Sequence, residues 1–152
     1  MAFFHLHRQE DEGDLGETIA ANLLRQKGYT IVEQNLKVNA KEIDIIATND
    51  EYIVFCEVKT RTSTFAGNPE QFVNKDKQRN MIFAANAYIK HVGEKRSPRF
   101  DVIGVLLNKQ TGDIQEINHI EDAFFPSVRT VHSSSYSGRY KWHSKSVWKT
   151  KR

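Results

Sequence analysis

Apolar residues recur at three- and four-residue spacing from Asp14 to Lys27, where Leu15, Ile19, Leu23 and Leu24 form one stripe. That period predicts an amphipathic helix. Asp11 or Asp14 can cap its start and Gly28 can end it. Tyr29 to Lys37 reads as a strand opening on Thr30, Ile31 and Val32. A short polar turn near Asn39-Ala40 leads to a second strand, Glu42 to Thr48, and Asn49-Asp50 is turn chemistry. The third strand, Tyr52 to Lys59, is apolar on both faces before Glu57, which marks it as central and buried. Residues 60 to 69 form a loop. A second helix covers Asp76 to Val92, with Ile82, Ala85, Ile89 and Val92 on one stripe and Gly93 as its stop. Phe100 to Leu107 is a strongly apolar strand. Thr111-Gly112-Asp113 turns the chain into a last strand, Ile114 to Asn118, and a short helical piece is expected around Glu121 to Phe125, before Pro126. The order is α-β-β-β-α-β-β, an α/β domain with a mixed central sheet flanked by helices.

The length, 152 residues, suits one compact domain. The formal net charge of +3 conceals a division. Residues 1–127 hold 15 Lys and Arg against 19 Asp and Glu, a net of −4, while residues 128–152 hold 7 basic residues and no acid. The expected organisation is an N-terminal arm (1–13), a slightly acidic domain (14–126) and a basic, Ser-rich and aromatic tail (127–152). Cations interleaved with Tyr136, Tyr140, Trp142 and Trp148 suit single-stranded nucleic acid, and a disordered solubilising terminus is the competing expectation.

Several classes drop out. No apolar run approaches the ~20 residues of a bilayer span. Met1 to His7 is followed by Arg8 and the acidic Glu10-Asp11-Glu12, unlike a signal peptide. The single cysteine, Cys56, excludes an internal disulfide and a CxxC zinc site, so a reducing cytoplasm is the expectation. Cys56 itself is expected in the core. His5 and His7 have no ligand cluster near them in sequence. Phe3, Phe4, Phe124 and Phe125 are expected to cover core or face a partner.

The chemistry concentrates in Glu42-Ile43-Asp44 and Glu57-Val58-Lys59. Alternation places Glu42 with Asp44, and Glu57 with Lys59. A two- or four-residue turn between the strands makes opposed residue numbers sum to about 99 or 101, and either register puts both pairs on one face. One lysine cannot neutralise three acids. Mg²⁺ or Mn²⁺ can, since both take oxygen ligands and commonly use one or two carboxylates. A solvated charged face is the ordinary alternative for such a hairpin. Lys75, Lys77 and Arg79, at the start of the second helix, oppose the helix dipole and suit a phosphate. Arg61 and Arg99 are lesser candidates of the same kind. Asp101 is expected to pair with Arg99 or a helix terminus.

Asp44 followed by Glu57-x-Lys59 resembles the D…(E/D)xK core of restriction-endonuclease-like nucleases, whose element order is also α-β-β-β-α-β. Gly16-Glu17 and Glu42-Ile43-Asp44-Ile45-Ile46-Ala47 resemble archaeal Holliday-junction resolvases. Similarity is closest to the YraN family of small uncharacterised proteins, through Gly16-Glu17, Glu42-Ile43-Asp44, Phe55-Cys56-Glu57-Val58-Lys59, Lys77-Gln78-Arg79, Arg99-Phe100-Asp101-Val102 and Asp122-Ala123-Phe124. The resemblance implies a restriction-endonuclease-like core and a metal-dependent endonuclease, with Asp44 and Glu57 as ligands of Mg²⁺ or Mn²⁺. It also implies Glu17 as a helix-borne acid, Lys59 as the catalytic cation and Glu42 as a supporting acid. Lys75, Lys77, Arg79 and Arg61 would contact nucleic acid, DNA foremost, possible pairings including a homodimer; no membrane is implied. Where the family often has Gly before Glu-Ile-Asp, this chain has Lys41, which is expected to bring a cation near the site. A non-catalytic nucleic-acid-binding module and a protein-interaction factor are the alternatives.

Overall fold

The computed structural model describes residues 12–62 and 73–126, with the side chains of 12–14 left aside. The N-terminal arm before Glu12 and the tail from residue 127 lie outside the described residues, as do the two histidines and two phenylalanines of the arm. The elements follow in the expected order: α1 (Glu12–Gln26), β1 (Thr30–Val38), β2 (Lys41–Thr48), β3 (Tyr52–Arg61), α2 (Lys75–Val92), β4 (Ser97–Leu107) and β5 (Ile114–Phe124). The five strands form one sheet in the order β1-β2-β3-β4-β5. Neighbours are antiparallel except β3 and β4, which run parallel.

A helix covers each face. On one side Ala20, Ala21 and Leu24 of α1 meet Ile45, Ala47, Val54, Cys56, Ile103 and Val105. On the other, Met81, Ile82, Ala84 and Ala85 of α2 meet Ile46, Ile53, Phe55, Phe100 and Val102. Strands buried on both faces have no polar face to show, and this explains the unbroken apolar runs of β3 and β4. Cys56 is fully buried in the α1-side cluster, as expected, and burial pushes its thiol well above the ordinary range.

Local chemistry sets the turns. Val38 pairs with Lys41, and the two residues between them, Asn39 and Ala40, both have positive φ, as a tight hairpin requires. Asn74 caps α2 by accepting the Lys77 main-chain N–H at 2.9 Å, and Gly93, left-handed at φ 67°, closes it. Val92 ends the predicted stripe of α2 but is 48% exposed.

β5 corrects one expectation. The segment Glu121 to Phe125 is not helical: the strand continues to Phe124. Its register shifts between the partners of Phe100 and Val102, and Asp122 there has φ 59°. The Asp122 N–H donates to Asp101 Oδ1 at 2.9 Å, and Phe124 stacks on Phe100 with centroids 5.1 Å apart. A buried acceptor and an aromatic contact, both remote in sequence, thus hold a bulged strand where local composition favours a helical turn. Phe124 therefore covers core, whereas Phe125 is exposed.

Candidate functional site

Residues on β2 and β3 pair with numbers summing to 101, from Thr48↔Ile53 to Ile45↔Cys56. That ladder ends at Ile45↔Cys56, and Asp44 and Glu57 follow directly on the two strands. Strict alternation breaks here: Ile43 and Ile46 join the α2-side cluster, Ile45 and Ala47 the α1-side cluster. At the break the Asp44 carboxylate turns onto β3, and its Oδ2 accepts the Val58 N–H at 2.8 Å.

Both carboxylates are buried, Asp44 at 8% exposure and Glu57 at 4%. Glu57 Oε1 lies 3.4 Å from Lys59 Nζ, and Oε2 lies 3.3 Å from Lys77 Nζ. Oε2 receives no hydrogen bond. Burying an ionised carboxylate without enough donors is costly, and a second one beside it adds repulsion. Accordingly Asp44 is pushed from 3.8 up to about 7, first by burial and then by Glu57, with the Val58 N–H pulling the other way and Glu17 adding to the rise.

Glu17 arrives from α1 because Gly16 lets that helix lie against β3. A Cβ on Gly16 would sit 1.8 Å from Thr60 Oγ1. Glycine is therefore required for close approach, and the acid following it projects its charge onto Asp44.

Of the residues singled out from sequence, Asp44, Glu57 and Lys59 come together, and the charge of Glu17 reaches Asp44. Glu42 pairs in register with Lys37, and the acids whose charge raises Asp44 are Glu57 and Glu17. Lys41 does not deliver its cation to the carboxylates: its ammonium lies 4.4 Å from the centre of the Phe83 ring on α2. The basic group at the start of α2 divides. Lys77 turns inward to Glu57, Arg79 pairs with Asp76, and Lys75 is exposed. Arg61 is exposed and donates to the Thr60 carbonyl at 2.9 Å. Arg99 is no surface cation. It is 8% exposed and clamps Asp101 through Nε and Nη2 at 2.9 and 2.8 Å, the structural pairing expected for Asp101.

Two features went unread in the sequence. The membership of Lys77 in the acidic site had a signal, a cation placed against the dipole of α2. The Asp101 cluster also takes in His119, whose Nε2 is 2.8 Å from Asp101 Oδ2, and Lys27, whose Nζ is 2.8 Å from His119 Nδ1. No local pattern announces a contact across 92 positions.

Among the described residues no three His, Cys, Asp or Glu side chains converge to enclose a metal ion. The donor set present is two carboxylates, one with an oxygen lacking a hydrogen-bond donor. That set fits a hard divalent cation such as Mg²⁺, which commonly takes one or two protein carboxylates and completes its shell with water or substrate oxygens. A surface cleft lined by Val32, Thr48, Ile53, Tyr88 and Val92 lies at the opposite end of β2 and β3, beside their turn, away from the acids.

The family follows from comparison with known proteins. The model of the uncharacterised protein family UPF0102 matches residues 16–105, which span Gly16, Asp44, Glu57, Lys59 and Lys77. A UPF0102 protein of Caldanaerobacter subterraneus is 45% identical over 113 residues, covering 74% of this chain and 93% of the relative. One from Clostridium kluyveri is 43% identical, covering 76% and 94%. One from Parabacteroides distasonis is 38% identical, covering 80% and 98%. The chain belongs to the UPF0102 (YraN-like) family. Among the described residues no helix is long and apolar enough to cross a membrane.

Proposed function

We propose that this chain is a metal-dependent endonuclease that hydrolyses phosphodiester bonds in nucleic acid, DNA foremost, with Asp44 and Glu57 holding a Mg²⁺ or Mn²⁺ ion. One observation carries the reading: two buried carboxylates meet where β2 and β3 part, and Asp44 is pushed up to about 7 by burial and by Glu57. Two buried carboxylates side by side weigh against the fold, and a divalent cation would neutralise them. The D…ExK spacing and the α-β-β-β-α-β order, which resemble restriction-endonuclease-like nucleases, support the same chemistry.

Held by Asp44 and Glu57, such an ion would supply Lewis-acid chemistry, polarising a phosphoryl oxygen and lowering the pKa of a bound water. The chain's own residues supply the rest. Lys59 Nζ, on Glu57 Oε1 with its side chain 26% exposed, would meet the charge that develops on an attacked phosphate. Glu17 brings a further acid from the α1 side. Lys75, Arg61 and Arg79 are exposed cations that can meet flanking phosphates, sequence-independent contacts that position a strand.

The test uses supercoiled, linear, single-stranded and four-way-junction DNA with Mn²⁺. Wild-type protein cuts at least one of these, and Asp44→Ala and Glu57→Ala proteins do not. No cleavage by wild type, or equal cleavage by all three, overturns the proposal. Salt-dependent binding that survives Asp44→Ala, with no cleavage, would instead indicate a non-catalytic binding module.

A further inference from the structure

We infer that Lys77 is the resident counter-ion of Glu57 in the metal-free protein, and that its ammonium and a divalent cation exclude each other at Glu57 Oε2. This deepens the metal reading above and rests on it.

The geometry of α2 motivates the assignment. Asn74 is the cap and Lys77 the third residue of the helix proper, held there by its main-chain N–H at 2.9 Å from Asn74 Oδ1. The side chain takes no part in the cap. A cation in the first turn is opposed by the helix dipole, so its inward direction needs a local cause. Glu57 is that cause, with Nζ 3.3 Å from Oε2.

The contact has the character of a placeholder. Oε2 is buried and receives no hydrogen bond, so charge alone couples it to Lys77. The lysine side chain is 30% exposed and the glutamate side chain 5%, a movable partner on a fixed one. Lys77 also acts beyond Glu57: its charge bears on Asp44, where it opposes the effect of burial and of the neighbouring acids. Its ammonium thus stands at the oxygen of Glu57 that a cation held there would need. Carboxylate oxygens bind Mg²⁺ or Ca²⁺ at roughly 2.0–2.6 Å. An ammonium within salt-bridge distance of the same oxygen would then face a double positive charge a few ångströms away, a repulsive arrangement even in a screened site. Lys59 differs, since it lies on β3 itself and reaches the other oxygen, Oε1.

Titration calorimetry with Mn²⁺ alone, on the full chain, tests the inference. Lys77→Gln should bind Mn²⁺ about tenfold more tightly than wild type, because a competitor at close range is gone. Lys75→Gln, which removes an exposed cation from the same turn, should bind as wild type does. In metal-free buffer Lys77→Gln should melt below wild type, and saturating Mn²⁺ should close that gap. Lys77→Met, which keeps the apolar stem, repeats the test should the glutamine variant fold poorly; the Asn74 cap survives either change. Unchanged or weaker Mn²⁺ binding by both Lys77 variants, or an equal gain in Lys75→Gln, overturns the inference while leaving the metal reading intact. Absence of Mn²⁺ binding in wild type and every variant overturns both.

Discussion

Asp44 and Asp101 are buried aspartates of one sheet, 8% and 0% exposed, in opposite circumstances. Asp101 is surrounded by donors. Arg99 clamps it with two N–H groups, Asp122 gives a main-chain N–H at 2.9 Å, and His119 Nε2 lies 2.8 Å away. Since the Lys27 ammonium can only donate, His119 Nδ1 accepts from it and Nε2–H points to Asp101. Arg99 also donates to the Tyr29 hydroxyl at 2.7 Å and lies over the Tyr52 ring, 4.9 Å from its centre. Although burial works against the charge of Arg99, its bonds to Asp101 hold it charged more firmly than usual. Asp44 has the Val58 N–H and, beside it, another buried carboxylate. Where a buried acid serves the fold, this chain surrounds it with donors. At Asp44 and Glu57 it supplies fewer donors: Asp44 has one main-chain N–H, and Glu57 has two lysines at 3.3–3.4 Å but an oxygen without a hydrogen bond, a site suited to a ligand.

The comparison can be broken by substitution. Asp101→Ala leaves Arg99 buried without its partner and should cost about 3–5 kcal/mol in urea unfolding; a loss below about 1 kcal/mol would mean that the cluster is not structural. Asp44→Asn should act with the opposite sign. An acid raised to about 7 in the fold, against 3.8 unfolded, binds more protons when native, so its contribution to stability falls as pH rises from about 4 to 7. In metal-free buffer at pH 8 the asparagine, still able to accept the Val58 N–H, should raise stability by about 2–4 kcal/mol. Near pH 4 the gain should vanish. A variant less stable than wild type at pH 8 would remove the contrast.

Helix α1 joins the two regions, with Gly16 and Glu17 at one end and Lys27 beyond the other. Gly16→Ala should therefore cost about 1–3 kcal/mol through its clash with Thr60 Oγ1. Thr60→Ala should relieve part of that cost in a double-mutant cycle. The smallest effect is expected at Lys27, an exposed residue: Lys27→Met should change stability by less than about 1 kcal/mol, because Asp101 keeps Arg99 and the Asp122 N–H.

Much of this was legible in the chain. Turn length fixed the register of β2 on β3 from Thr48 to Ile45, because a side-chain period of two leaves few registers to choose from, and Asp44 and Glu57 follow directly on it although alternation breaks there. Gly93 and the apolar runs of β3 and β4 announced their roles for equally local reasons. The helical expectation at Glu121 to Phe125 failed because Asp101 and Phe100, some twenty residues away, decide that backbone. Lys77 looked like a surface phosphate contact because its partner lies on another element. Lys27 and His119 carry no local signal of their meeting. Local patterns fixed strand register and helix ends, while the partners of charged side chains depended on packing.

Asp44 and Glu57 form a buried, donor-poor carboxylate pair suited to a divalent cation. The most direct test is thermal melting of wild type and Asp44→Asn at pH 8, in chelator and then in excess Mn²⁺. Ligand at about 100 times its Kd adds about 2.7 kcal/mol, several degrees for a domain of this size. Mn²⁺ should raise the melting temperature of wild type by that amount and leave Asp44→Asn, already the more stable in chelator, nearly unchanged. No shift in wild type, or the same shift in both proteins, would contradict it.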